Sequence, residues 1–219
     1  MSIAETDWQR FLSPGSDLPP DVIFNVEGED DKSEGQRYQK KIGAHRLFLA
    51  GVSPVFKSMF FGLLKETGEV VEVKEISPEA FDTMIKFIYH PPGGERFNLD
   101  HIRCPQKLFE LLTVSTKYQI WRLVTLTTDV LESLAITREN VIFTATISKG
   151  YKTAFDDVST KLLMKCMKFL FNTTSGAVDM CALIQETLVN FPGASFDILP
   201  KLLDVVKSSL QVPGIYCWF

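Results

Sequence analysis

The chain has 219 residues, 45% of them hydrophobic and 23% charged, with a formal net charge of −4. That balance describes a globular chain with material for one large domain or two small ones, and it argues against disorder. The acidic excess speaks against a nucleic-acid partner, which draws on clustered Lys and Arg, and no apolar run reaches the roughly 18 residues that span a bilayer.

Residues 1–17 read as a short arm in which Trp8, Phe11 and Leu12 supply the apolar contacts and Ser13-Pro14-Gly15 stops any helix. The start MSIAETDWQRF has no basic region followed by an apolar stretch, so it does not read as a secretory leader. Cys104, Cys166, Cys181 and Cys217 form no CxxC pair. A cytosolic or nuclear setting with reduced thiols is therefore expected.

Asp21-Val22-Ile23-Phe24-Asn25-Val26, after Pro19-Pro20, has the β-branched content of a strand. The almost wholly polar EGEDDKSEGQRYQKK, Glu27 to Lys41, is expected to be a solvated hairpin loop or surface insertion. Ala44 to Glu66, AHRLFLAGVSPVFKSMFFGLLKE, then organises the rest. Ser53-Pro54 is a strong helix start: the hydroxyl can cap a first-turn N–H, and Pro54 sits where a missing N–H costs nothing. Val55, Met59 and Leu63 recur at helical spacing, with Phe56 and Phe60 widening the stripe. Phe56 and Met59 are expected to hold this helix in a core.

A turn at Thr67-Gly68-Glu69 leads to a short strand, Val70 to Val73. Ser77-Pro78 repeats the helix start, and Phe81, Met84, Ile85, Ile88 and Tyr89 follow on one face. Pro105 opens a helix running to Tyr118, and Ile120 to Leu134 carries another apolar stripe. From residue 135 onward the pattern is helical: Asn140 to Lys149, Val158 to Phe171, Ala177 to Val189 and Phe196 to Leu210. Strands early and helices late predict an α+β domain followed by an all-helical region.

The string AHRLFLAGVSPVFKSMF, preceded by DVIFNV and followed by VEVKEISPEAFDTMIKFIYH and LFELLTVSTKYQIWRLVTL, resembles the BTB (POZ) domain family over residues 18–128. The following ENVIFTATISKGYKTAFDDVSTKLLMKCMKFL is similar to a BACK domain, which places a BACK-like region at 129–219. The resemblance implies a small mixed sheet capped by helices and a homodimer, with Trp8, Phe11, Leu12, His45 and Leu49 at its interface. Asp21 and His45 would form a structural polar pair beside a pocket that binds peptides in several BTB dimers.

BTB adaptors of cullin-3 ubiquitin ligases share a hydrophobic-x-Glu motif shortly after the organising helix. Leu64-Lys65-Glu66 stands at that offset, an apolar anchor beside a carboxylate. The resemblance thus implies a non-enzymatic adaptor presenting Phe60, Phe61, Leu64, Glu66 and Tyr118 to cullin-3 and carrying an unidentified substrate protein. No kelch, MATH or zinc-finger repeat is legible. The other implication is a scaffold or transcription-associated BTB dimer with no cullin role.

Other constellations are weaker. Asp21, His45 and Ser53 could be aligned as a hydrolase triad, but there is no GxSxG elbow and the Ser53 hydroxyl has a capping role. His90, His101 and Cys104 are too few for a zinc site and lack a CxxC frame. Lys161, Lys165 and Lys168 read as a solvated helix face. No catalytic residue, cofactor site or metal site is expected.

Overall fold

The computed structural model describes residues 19–29, 37–90 and 97–173. The expected arm with Trp8, Phe11 and Leu12, and the helices expected after residue 173, lie outside these described residues. The chain divides between Val130 and Leu131 into two compact units.

In the first unit, β1 (Val22–Glu29) is the middle strand of a mixed sheet with order β2-β1-β3. It runs antiparallel to β2 (Arg37–Ala44), with Val22 opposite Ala44 and Glu29 opposite Arg37. It runs parallel to β3 (Val70–Val73), with Ile23 opposite Val70 and Val26 opposite Val73. A parallel pair needs a crossover. Here the chain between β2 and β3 supplies two short helices, α1 (Arg46–Val52) and α2 (Pro54–Phe61). Alternation along β1 turns Val22, Phe24 and Val26 into the core beside Ile42, Ala44 and Val73.

The stretch from Glu27 to Lys41, expected to be a loop, is therefore corrected at both ends. Strand pairing continues to Glu29 and resumes at Arg37. Two residues of this polar run reach another element. Tyr38 Oη donates to Glu79 Oε1 at 2.8 Å, and Lys40 Nζ lies 3.1 Å from Asp82. Both acceptors belong to α3 (Pro78–Ile88). Gly28 allows this approach, since a Cβ there would stand 2.6 Å from Pro78 Cγ at the start of α3.

Each expected Ser-Pro helix start is present. Ser53 Oγ accepts from Phe56 N–H at 3.1 Å, and Ser77 Oγ accepts from Ala80 N–H at 3.4 Å. α4 (Pro105–Lys117) and α5 (Trp121–Ser133) follow. They are joined through Gln119, which takes a left-handed φ of 55° so that Ile120 N–H can reach Ser115 O at 2.9 Å.

The core is organised around five aromatic rings from four elements. Phe24 of β1 lies 5.8 Å from Phe56 and 5.0 Å from Phe81. Phe56 stacks on Tyr118 at 4.5 Å and on Phe60 at 6.0 Å. Phe81 meets Tyr118 edge-on at 5.6 Å. Phe56 is in this core as expected; Met59 is half-buried and packs against its edge.

In the second unit, α6 (Val141–Tyr151) and α7 (Asp156–Thr173) pack through Val141, Ile142, Ala145, Cys166 and Leu170. Two of the three lysines read as a merely solvated face have specific partners. Lys165 Nζ donates to the carbonyls of Glu132 at 3.0 Å and Leu134 at 2.7 Å, placing a cation at the carboxyl end of α5. Lys161 lies 3.0 Å from Glu132 Oε1 and 2.9 Å from Asp157 Oδ2.

Removing the ring at the centre of the first unit should be costly. Phe56→Ala is expected to lower unfolding free energy by about 3–5 kcal/mol, measured by urea titration of the full chain.

Candidate functional site

α2 has two unlike sides, and its packing decides which residues a partner can reach. Phe56 and Phe60 stand one turn apart and both enter the aromatic cluster. Phe61, the next residue, points away and is 57% exposed. At Gly62 the chain leaves the helix in an extended conformation, at φ −78° and ψ −176°. A Cβ at Gly62 would run into the carbonyl oxygen of Ser58. Beyond it Leu63 is fully exposed, Leu64 is 96% exposed, and Lys65 and Glu66 are exposed as well. Glu66 N–H returns to Met59 O at 2.8 Å, and Ile23 N–H reaches Glu69 O at 2.8 Å. Gly62 N–H is held by Ser58 O at 2.9 Å, so the segment from Gly62 to Glu69 is an outward arch fastened at both ends and again at Glu66.

Three of the residues expected on interaction surfaces are corrected. Phe60 is 3% exposed and Tyr118 is 4% exposed, because both rings complete the aromatic cluster. Leu49 is fully buried. The exposed side of α1 carries Leu47 and, one turn on, Gly51 and Val52. Phe61, Leu64 and Glu66 remain at the surface and on one continuous stretch of chain.

Asp21 and His45 come to the same corner, where strand ends meet α1, and each has a partner the sequence did not reveal. Asp21 Oδ1 accepts Arg46 N–H at 2.8 Å. Tyr89 Oη accepts His45 N–H at 2.7 Å and lies 2.7 Å from His45 Nδ1. Phe48 closes the corner, 6.0 Å from the His45 ring and 5.4 Å from that of Tyr89. Burial pushes the Tyr89 phenol up to about 12, with the nearby Asp21 charge acting in the same direction. Ser53 has no nucleophile's role here: its hydroxyl donates to Tyr118 O at 2.6 Å while capping α2. Arg46 was also missed. Its Nη2 donates to Gly68 O at 2.6 Å, and its guanidinium carbon lies 5.4 Å from the centre of the Phe60 ring.

Among the described residues no three of His, Cys, Asp and Glu gather as a metal site would require, and no helix is long and apolar enough to cross a membrane. Burial holds the Cys166 thiol up at about 12, which keeps it protonated and unreactive. What the surface offers is an apolar projection with an acidic edge.

A model of the BTB/POZ domain family matches residues 18–134. The chain is 38% identical over 69 residues to BTB/POZ and MATH domain-containing protein 4 of Arabidopsis thaliana, a match covering 32% of this chain and 12% of that protein. It is 38% identical over 97 residues to BTB/POZ domain-containing protein 6 of Xenopus laevis, covering 40% of this chain and 17% of that protein. The chain therefore spans under a fifth of the length of these curated relatives. Among solved structures, the BTB domain of zebrafish PATZ1 aligns with a TM-score of 0.37 and 23% identity, covering 52% of this chain and 75% of that one.

The buried phenols predict a defined alkaline response. Burial also pushes Tyr118 up to about 12. Phenols of unfolded chains ionise near about 10, so the folded state holds both protons more tightly. The stability this lends is complete below pH about 10 and is lost as pH rises toward about 12. Tyrosinate absorbance should therefore rise in two stages, the later one coinciding with loss of the far-ultraviolet helical signal.

Proposed function

The chain belongs to the BTB/POZ domain family, whose members are protein-interaction modules that generally dimerise, and from that premise we propose that it is a homodimeric adaptor linking a substrate protein to a cullin-3 ubiquitin ligase. One observation carries the reading: Leu64, 96% exposed, stands two residues before exposed Glu66 on an arch fastened to the folded core. Two adjacent exposed leucines beside Phe61 make a projection suited to a partner's apolar groove. Glu66 adds a carboxylate for its polar rim.

Because Phe60 and Tyr118 are buried, they serve this surface from beneath, by fixing the helix from which it emerges. The arch reaches its partner already shaped, so little ordering entropy opposes binding. The homodimer would form through the exposed side of α1, with Leu47 at its centre, and Trp8, Phe11 and Leu12 as further candidate contacts. Residues 129–219 would make up a BACK-like region, and the whole would act in the cytosol or nucleus. The substrate protein is unidentified.

Leu64→Ala combined with Glu66→Ala should leave urea stability within about 0.5 kcal/mol of wild type, as for substitutions outside the core. It should weaken binding to the amino-terminal region of cullin-3 by about tenfold or more, measured by titration calorimetry. Unchanged affinity in the double variant would sink the site assignment. For the dimer, Leu47→Asp should shift the sedimentation mass from two chains to one while leaving the circular dichroism spectrum unaltered.

A further inference from the structure

The arch is bonded through backbone at Glu66 and Glu69, and one side chain, that of Arg46, reaches it between them. We infer that Arg46 is a positioning residue that holds segment 62–69 in its binding-ready shape, an inference resting on the reading of that segment as a docking surface. Leu63 and Leu64 are exposed, so they have little packing to define their own placement. The Glu66-to-Met59 bond folds the arch back on α2, and the Glu69-to-Ile23 bond belongs to the approach to β3. Between them, Gly68 O receives Arg46 Nη2 at 2.6 Å.

Arg46 is itself held where it starts and where it ends. Its backbone N–H is bonded to Asp21 Oδ1 at 2.8 Å, fixing the first residue of α1. Its guanidinium carbon lies 5.4 Å from the ring centre of Phe60, which is buried at the end of α2. The guanidinium therefore spans from the Phe60 ring to the Gly68 carbonyl, tying the leg of the arch beyond Glu66 to α2. Among the described residues its Nε is buried with no hydrogen-bond partner, which leaves the Gly68 bond and the Phe60 contact to orient it. A planar guanidinium can lie against a ring and donate in its own plane at once. The compact ammonium of lysine does this less well.

Loosening this tie would let the arch sample several shapes, and a partner would have to order it on binding. The test uses the full chain with Arg46→Met, which keeps an apolar stem against Phe60 but removes the charge and the donors, and with Arg46→Lys. Amide hydrogen exchange at Glu66, whose N–H closes the arch, should quicken about tenfold in Arg46→Met, while amides of Val26 and Phe81 in the core exchange as in wild type. Arg46→Lys should restore part of the protection. Affinity for the amino-terminal region of cullin-3 should fall by about tenfold in Arg46→Met.

Unchanged exchange at Glu66 would overturn the inference. So would a core that loosens equally with the arch, since Arg46 would then be a general stabiliser. A loosened arch with undiminished cullin affinity would overturn its role in binding. If wild type itself ignores cullin, the docking reading fails, and the exchange rates alone decide whether Arg46 holds the arch.

Discussion

The Ser53 hydroxyl is the joint on which the first unit depends. It accepts from Phe56 N–H at the start of α2 and donates to the carbonyl of Tyr118 at the end of α4. A serine hydroxyl has one proton to give and lone pairs to receive, so both bonds can coexist. Both are buried, where leaving either group unpaired would cost about 1–3 kcal/mol. The joint brings the Phe56 and Tyr118 rings into their 4.5 Å stack. Once those rings are fixed, Phe24, Phe60 and Phe81 have one arrangement that fills the space around them.

That arrangement gives α2 a rigid back and leaves its front open. The helix has eight residues, too few to be stable in isolation. Its order comes from packing, and the same packing decides which residues face outward. Arg46 extends this order past the end of the helix, because it rests against Phe60 while holding Gly68. The exposed segment at the tip of a short helix thus borrows its shape from rings deep in the unit.

Much of this was legible in the sequence, because it rests on local rules. Ser53-Pro54 and Ser77-Pro78 mark helix starts by a local capping rule, and the Phe81 to Tyr89 spacing needs only helical geometry. The errors came from contacts between residues distant in the chain. Phe60 and Tyr118 are partner-facing only by the family resemblance, which does not reveal the packing of this chain. Their burial follows from ring contacts with Phe24, Phe56 and Phe81. The polar run after Val26 looked like a loop because Tyr38 and Lys40 find their partners, Glu79 and Asp82, some forty residues later. In the sequence Tyr89 is the last residue of an apolar stripe, and only the folded chain brings its hydroxyl to His45. The Phe60 case was accessible, since a residue four places after buried Phe56 shares its face.

The exposure of Leu63 and Leu64 can be read as a consequence of a core already filled. Five rings with centres 4.5–6.3 Å apart leave little room for two further leucines. The extended backbone at Gly62 also carries the chain away from that core. Folding therefore gains little from these side chains, whereas solubility would favour polar ones in their place. A lone exposed leucine needs no explanation, but two in succession beside a half-exposed Phe61 form an apolar projection. Packing within the unit therefore gives no account of why this projection is apolar.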